Sequence, residues 1–311
     1  MRHLVLHVGG YKTATTSLQE LCARNRGWLR RRGIVYPAMR LGRLPRFSIN
    51  HRLWAGRLLA PSGSSELASA LTCFREQLEP QLAIDGTSLL SAESLSDVPW
   101  SRHREVRADL LRRCLDGFEV RVLLYVRRQD QWYESMHNQR VKTSGETRSL
   151  EAYVAAGLER GMADFSEHVR FWRATFGEER VTVRVFERDQ LLDGDVVADF
   201  LDQIGVHDRE GLGVFQSRNP RLHPALVEPK RRLNVHLKTR VQRQVAKRVA
   251  LQLQRLLPDD ARHTMPYEMA LRIMHHHAES NAELARAALG RDDGRLFLRG
   301  PEEDPPWQHY G

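Results

Sequence analysis

Along the first two thirds of the chain, short apolar runs in a β pattern alternate with longer stretches whose apolar residues recur at helical spacing. Leu4, Leu6 and Val8 mark an alternating run that breaks at Gly9-Gly10, which predicts a first strand over residues 3–8. Leu18 and Leu21 open a helical pattern from about Thr15 to Arg32, closed by Gly33. Ile34 to Pro37 reads as a short extended piece, and the Arg-, Gly- and Pro-rich residues 38–50 as a loop. Asn50-His51 opens an amphipathic segment to Leu59, a turn follows at 61–65, and a helix runs to about Leu82. A second strand is expected near 88–91, a helix over 102–116 and a third strand over 119–126. Val120 to Val126 is almost continuously β-branched or aliphatic, the pattern of a strand buried on both faces. Helices over 130–142, 149–157 and 164–176 precede a fourth strand at 180–186. This alternation implies an α/β fold: a P-loop-like three-layer sandwich with a mostly parallel sheet flanked by helices.

The C-terminal third has no convincing strand. From Ala225 to Leu257, Leu226, Leu233, Leu237, Val241, Val245 and Val249 keep to one helical stripe, ringed by lysines and arginines. A core-packed helix with a solvated basic face is the favoured reading, and a peripheral helix on a membrane surface the alternative. Thr264 reads as the N-cap of a last long helix, with Pro266 near its start and its end at Gly290. His275, His276 and His277 lie within it, but three consecutive positions spread over about 200° of a helix and cannot share one ion. The expected organisation is a single domain over 1–311, with an α/β core over 1–205 and a helical extension over 221–290 packed on it.

The break after strand one carries the densest chemistry. Gly9-Gly10 is followed by Lys12, a hydroxyl cluster (Thr13, Thr15, Thr16, Ser17) and the start of a helix. Glycines let the backbone turn tightly with its N–H groups inward, a helix start adds roughly half a positive charge, and Lys12 adds a full one. A cradle for a phosphate-bearing ligand results, built from Gly10, Tyr11, Lys12, Thr13, Ala14, Thr15, Thr16 and Ser17. It is not a Walker A loop, whose lysine directly follows the second glycine. A second cluster follows strand three. Arg127 stands at the carboxyl end of that strand, where α/β sheets place ligand contacts, and Ser135 comes eight positions later on the next helix. A guanidinium and a hydroxyl converging there suit a second phosphate.

Lys12-Thr13-Ala14-Thr15-Thr16-Ser17-Leu18 resembles the 5′-phosphosulfate loop, K-x-G-T-[TS]-x-L, of the sulfotransferases that use 3′-phosphoadenosine 5′-phosphosulfate (PAPS), with Ala14 in the glycine's place. Arg127 and Ser135 match that family's 3′-phosphate pair in spacing and order. Ser91-Ala92-Glu93 resembles the exit of its second strand, and Phe171-Trp172, Phe176-Gly177, Val181 to Phe186 and Asp199-Phe200-Leu201 resemble a later helix–strand–helix stretch of the bacterial members acting on carbohydrates. Arg218-Asn219 is similar to the family's late cofactor loop, although Arg221 stands where a serine is usual. The resemblance implies PAPS as donor, PAP as product and no metal. Lys12 would hold the 5′-phosphosulfate, Arg127 and Ser135 the 3′-phosphate, and Arg218 would add a clamp. A glycan or glycoconjugate hydroxyl would be the acceptor. Glu93 is the first candidate for its general base and His51 the second, while His7 is assigned to the core.

Composition narrows this little. The 311 residues are 41% hydrophobic and 28% charged, with a net charge of +9, ordinary for a globular chain apart from its basicity. The basic residues are mostly scattered arginines without a zinc knuckle or basic tail, so nucleic acid is not the expected partner; a positive field suits anionic donor and acceptor alike. Cys22, Cys73 and Cys114 form no pair and no metal spacing, which fits reduced thiols in a bacterial cytoplasm. The first strand begins by His3, leaving no room for a signal peptide, and no apolar run is long enough to anchor the chain in a membrane. The oligomeric state is not legible. The competing functions are a P-loop-type nucleotide-dependent kinase, opposed by the lysine spacing, and a non-catalytic basic binder of anions or nucleic acid, which would not need the Arg127/Ser135 pair.

Overall fold

The structure, a computed structural model, describes residues 2–10, 12–41, 47–59, 64–213, 221–258 and 264–303, the side chains of 64–67 excepted. In chain order the elements are β1 (Arg2–His7), α1 (Thr15–Arg24), α2 (Arg26–Arg31), β2 (Ile34–Val35), β3 (Met39–Arg40), β4 (Phe47–Ser48), α3 (Arg52–Leu58) and α4 (Ser64–Cys73). There follow β5 (Thr87–Ser91), α5 (Arg104–Cys114), β6 (Phe118–Val126), α6 (Gln129–Thr143), α7 (Leu150–Leu158), α8 (Phe165–Phe176), β7 (Val181–Val185) and α9 (Val196–Gln203). The last are α10 (Pro224–Asn234), α11 (Arg240–Leu253), α12 (Tyr267–His276) and α13 (Ala278–Leu289).

The chain divides into two compact units: Met1–Val126 with Phe165–Ser217 and Glu283–Leu296, and Arg127–Asp164 with Arg218–Ala282 and Phe297–Gly311. The first holds a five-stranded sheet in the order β2-β5-β1-β6-β7, every neighbouring pair parallel. Side chains alternate across a strand, so Val5, Leu89, Leu123 and Tyr125 look one way, where they pack with Leu18 and Cys22 of α1, Trp28 and Leu29 of α2, and Phe200 and Leu201 of α9. Leu4, Leu6, Leu90 and Leu124 fill the other face, which α8 approaches through β6 and β7. This is the expected helix–sheet–helix α/β fold. β1 connects toward β2 on one side of the sheet while β6 connects toward β7 on the other, so the β1 and β6 exits flank the point where the topology switches direction.

The second unit is helical. α10, α11 and α12 pack on α6, with Val141, Leu222, Val227 and Ala250 forming a small core. The unit boundary therefore falls at Val126/Arg127, and α6 and α7 group with the C-terminal helices instead of lying inside an uninterrupted 1–205 core.

Several boundaries differ from the sequence reading for local reasons. The first long helix breaks at Asn25, whose side-chain amide donates to the Leu21 carbonyl and competes with the helical ladder. The stripe from 225 to 257 is two helices, because Thr239 and Gln242 form a reciprocal capping box that starts α11 afresh. The final helix starts at Tyr267 and breaks at His277; Thr264 is not its cap but gives its hydroxyl and its N–H to Glu134.

Candidate anion-binding site

The turn after β1 folds around one glycine that nothing can replace. A Cβ at Gly10 would run into the Tyr125 carbonyl oxygen near the end of β6. The Gly10 carbonyl is then the hub of the turn. It accepts from the Thr13 hydroxyl at 2.6 Å, the Thr13 N–H at 3.3 Å and the Thr15 hydroxyl at 3.2 Å. Thr13 and Thr15 are buried, so their hydroxyls brace the loop from within, whereas Lys12, Ala14, Thr16 and Ser17 alternate onto its half-exposed side.

Left-handed backbone occurs at Gly9 (φ 62°), Lys12 (φ 70°) and Ala14 (φ 58°). Ala14 thus keeps the conformation that a glycine would adopt at no cost, at about 1–2 kcal/mol for its Cβ. Ala14 is also the N-cap of α1, and alanine has no side-chain acceptor with which to cap it. Since the first intrahelical bond is Leu18 N–H to the Ala14 carbonyl, the helix supplies no acceptor to the N–H groups of Thr15, Thr16 and Ser17. No acidic residue sits in that first turn. Lys12, three N–H groups that the helix leaves without an acceptor and two hydroxyls thus gather at the turn.

Glu93 begins the short 3-10 turn Glu93–Asp97 directly after β5. Burial pushes its pKa up to about 7; the Lys12 charge, the Lys12 N–H and the Thr15 hydroxyl pull the other way but do not win. The Cα of Glu93 would lie 3.4 Å from a Cβ at Gly9, so this acid borders the turn itself. A carboxyl that is half ionised near neutrality, beside a lysine and a helix N-terminus, can exchange a proton there.

His51 is bound differently from what a base requires. Its Nδ1 accepts from the Ser91 N–H at 2.8 Å, which puts the proton on Nε2, and Nε2 donates to the Pro37 carbonyl at 3.1 Å. Burial lowers its pKa to about 4. With both ring nitrogens engaged by backbone, His51 pins residues 37 and 51 to β5, and the expectation of a second base is corrected. His7 is buried with its Nδ1 2.9 Å from the Ser91 hydroxyl, which also accepts from Gln19 at 3.0 Å; burial drives its pKa down to about 3. This polar layer ties α1 to β5 beneath the turn.

Arg127 and Ser135 belong to the second unit. Arg127 Nε donates to Gln131 Oε1 at 3.2 Å, and Gln131 lies one turn before Ser135 on α6, so the Arg127 guanidinium meets the helix on the row of residues that carries Ser135. Burial lowers the Arg127 pKa, with the Glu134 and Asp130 carboxylates opposing it. Arg128 turns away into a buried two-point pair with Asp130 (2.8 and 2.9 Å) and donates to the Gly300 carbonyl at 2.7 Å. Sequence reading missed the roles of two residues here. Gln131 orients the Arg127 guanidinium and was hidden in an ordinary helical pattern. Arg221, which replaces the serine usual in the resembled motif, holds Glu134 at 2.5 Å and adds a second positive charge within reach of Arg127. Tyr11 and Arg218 lie outside the described residues.

No family model matches the chain. An uncharacterized protein of Archaeoglobus fulgidus is 28% identical over 184 residues, which is 59% of this chain and 49% of that protein. The chain thus spans about half the length of that curated relative. Among solved structures, a sulfotransferase from Alicyclobacillus acidocaldarius is similar at 17% identity with a TM-score of 0.42, over 78% of this chain and 99% of that one.

The first unit also holds a cavity of about 740 Å³ lined by Arg40, Phe47, Arg57, Glu76 and neighbours, to which neither Lys12 nor Glu93 contributes. Cys22, Cys73 and Cys114 are free and buried. Among the described residues no helix is long and apolar enough to cross a membrane, and no group of His, Cys, Asp or Glu is placed to hold a metal ion.

Proposed function

We propose that this chain is a PAPS-dependent sulfotransferase that moves a sulfuryl group to a hydroxyl of a carbohydrate or glycoconjugate and releases PAP. The observation that carries the reading is the turn from Gly9 to Ser17: an irreplaceable glycine, a left-handed Lys12, and a helix start without an acidic or capping side chain. That arrangement suits a doubly charged 5′-phosphosulfate. The Arg127 guanidinium, bonded to Gln131 one turn before Ser135 on α6, suits the 3′-phosphate that distinguishes PAPS from ATP and ADP. A kinase reading lacks the Walker lysine, and a passive basic binder has no use for a carboxyl held near neutrality beside the turn.

In this reading catalysis is positioning and charge stabilisation. The S–O bond to the 5′-phosphate breaks as a new S–O bond forms to the acceptor oxygen. Lys12 stabilises the charge growing on the leaving phosphate oxygen, and the α1 N–H groups share it. Glu93 takes the acceptor hydroxyl proton, leaving a neutral carboxylic acid that its enclosed position tolerates well. Arg221 reinforces Arg127. The three buried free thiols support a reducing compartment such as the bacterial cytoplasm.

Transfer of labelled sulfate from PAPS to a panel of oligosaccharides, polysaccharides and glycolipids tests the proposal. Incorporation into at least one acceptor, reduced about 10²–10³-fold by Lys12→Ala, is the expected result. Stabilisation of the protein by ATP with magnesium but not by PAP would overturn it in favour of the kinase.

A further inference from the structure

The basic stripe of the C-terminal third does not pack into a core. α11 buries only Ala250, while Val241 is 72% exposed and Val245, Val249 and Leu253 about half. These residues recur every four positions and so form one ribbon along the helix. Leu226, Leu233 and Leu237 extend it across α10, and together the two helices line an open apolar groove of about 470 Å³. α10 is fixed by its opposite side: Val227 joins the small core, and Asn234 donates to the Val141 and Glu146 carbonyls at 3.0 and 2.9 Å. The apolar face is therefore presented by a firmly held hairpin and is not a frayed end.

Charge selects the occupant. Between Pro224 and Pro258 there are nine lysines and arginines against the single acid Glu228, so nearly all of the molecule's net charge of +9 is gathered here. Arg231 and Arg232 neutralise Glu228. On α11, Arg248 falls next to Val241 at one edge of the valine ribbon, Arg240 and Lys247 lie on the far side of the helix, and Arg243 stands next to the core residue Ala250. A strongly cationic hairpin that exposes an aliphatic ribbon with Arg248 at its edge matches a surface with anionic groups outside and hydrocarbon beneath. A second copy of the chain would bring two strongly cationic hairpins against each other, a like-charge contact. Nucleic acid would leave the valines in water.

We propose that the α10–α11 hairpin is a docking surface for an anionic lipid bilayer, with Val241, Val245, Val249 and Leu253 entering the headgroup–acyl boundary, Arg248 at their edge meeting lipid phosphates, and the other cations of the hairpin adding longer-range attraction. The inference is independent of the sulfuryl-transfer reading. It refines the sequence expectation: the basic face and the apolar stripe serve one surface, instead of one facing water and the other a core.

The test is sedimentation of the full chain with vesicles of phosphatidylcholine alone and of phosphatidylcholine with about a third phosphatidylglycerol. Binding to the anionic vesicles only, weakened by salt, is expected. Val245→Asp should leave the far-ultraviolet circular dichroism unchanged and move the protein to the supernatant. Arg248→Gln should raise the lipid concentration for half-binding about fivefold, and adding Arg240→Gln and Lys247→Gln should raise it further by a smaller factor each. A wild-type chain that stays in the supernatant with anionic vesicles overturns the proposal, as does equal binding by Val245→Asp. A dimer in solution that Val245→Asp dissociates, without vesicle binding, would assign the face to a second copy instead.

Discussion

Two regions of this molecule concentrate positive charge, and they do it by opposite means. The turn after β1 uses one lysine and a helix start. Its effect comes from backbone placed by Gly10 against Tyr125 and braced by buried hydroxyls. The α10–α11 hairpin uses many cations on long side chains around an exposed aliphatic ribbon; Lys230, Arg231 and Arg232 are tied down on α10, while Arg240 and Arg248 of α11 are exposed. Directional, preorganised donors suit a small ligand bound in one pose. A dense, adaptable field suits an extended surface. The contrast teaches that net charge says little about function until its mode of support is known.

The largest effect should come from the organised side. Lys12→Ala should lower turnover with PAPS by about 10²–10³, the scale for losing one donor aimed at developing charge, while the melting temperature stays near wild type. Steady-state rates and a melting curve on the same preparation check this. Gly10→Ala should destabilise the fold by about 1–3 kcal/mol, read by urea unfolding, because the Tyr125 carbonyl cannot retreat without moving β6. If Gly10→Ala is as stable as wild type, the turn is less rigid than the comparison requires.

Next in size is pH dependence. A group held up at about 7 must lose its proton to act as a base, so kcat should rise through about pH 7 and level off, and Glu93→Gln should abolish that rise. Ionised Glu93 also repels anions, so PAP should bind Glu93→Gln at pH 8 at least as tightly as it binds wild type. Loss of PAP binding in that variant would make Glu93 a ligand of the donor. For stability the signs oppose. Raised Glu93 favours the fold below its unfolded pKa, and that share is lost as pH rises through about 7. His7, His51 and His168, the last buried on α8 with its Nε2 3.0 Å from the Ser96 carbonyl, are lowered by burial to about 3, 4 and 4; they favour the fold above 6.5, and their share is lost as pH falls through those values. Acid should therefore unfold the chain well before mild base does, which melting temperatures across pH 4–9 would report. The smallest change is Ala14→Gly, which should stabilise by about 1 kcal/mol by relieving the left-handed alanine, with transfer activity retained.

Legibility followed the range of the interactions that decide each feature. The β1–turn–α1 unit could be read because alternation, paired glycines and a hydroxyl cluster are local signals, and β6 because a strand buried on both faces is almost purely aliphatic. Ala14 shows that a residue type can depart from a pattern while the backbone keeps it. The role of His51 was hidden, since its partners Pro37 and Ser91 lie far away in sequence. The exposure of the valine ribbon was hidden for a related reason. A 3.6-residue period fixes which residues share a face and not what that face meets, so a core-facing helix and a surface-docking one have the same pattern. The grouping of α6 with α10–α12 likewise rests on contacts between residues about a hundred positions apart.

Titration calorimetry of wild-type protein with PAP and, separately, with ADP bears most directly on the sulfuryl-donor reading. Clear heat with PAP, at least tenfold weaker binding of ADP, and loss of that preference in Arg127→Ala is the outcome this account requires. Equal affinity for the two nucleotides, or no binding of PAP at all, would contradict it.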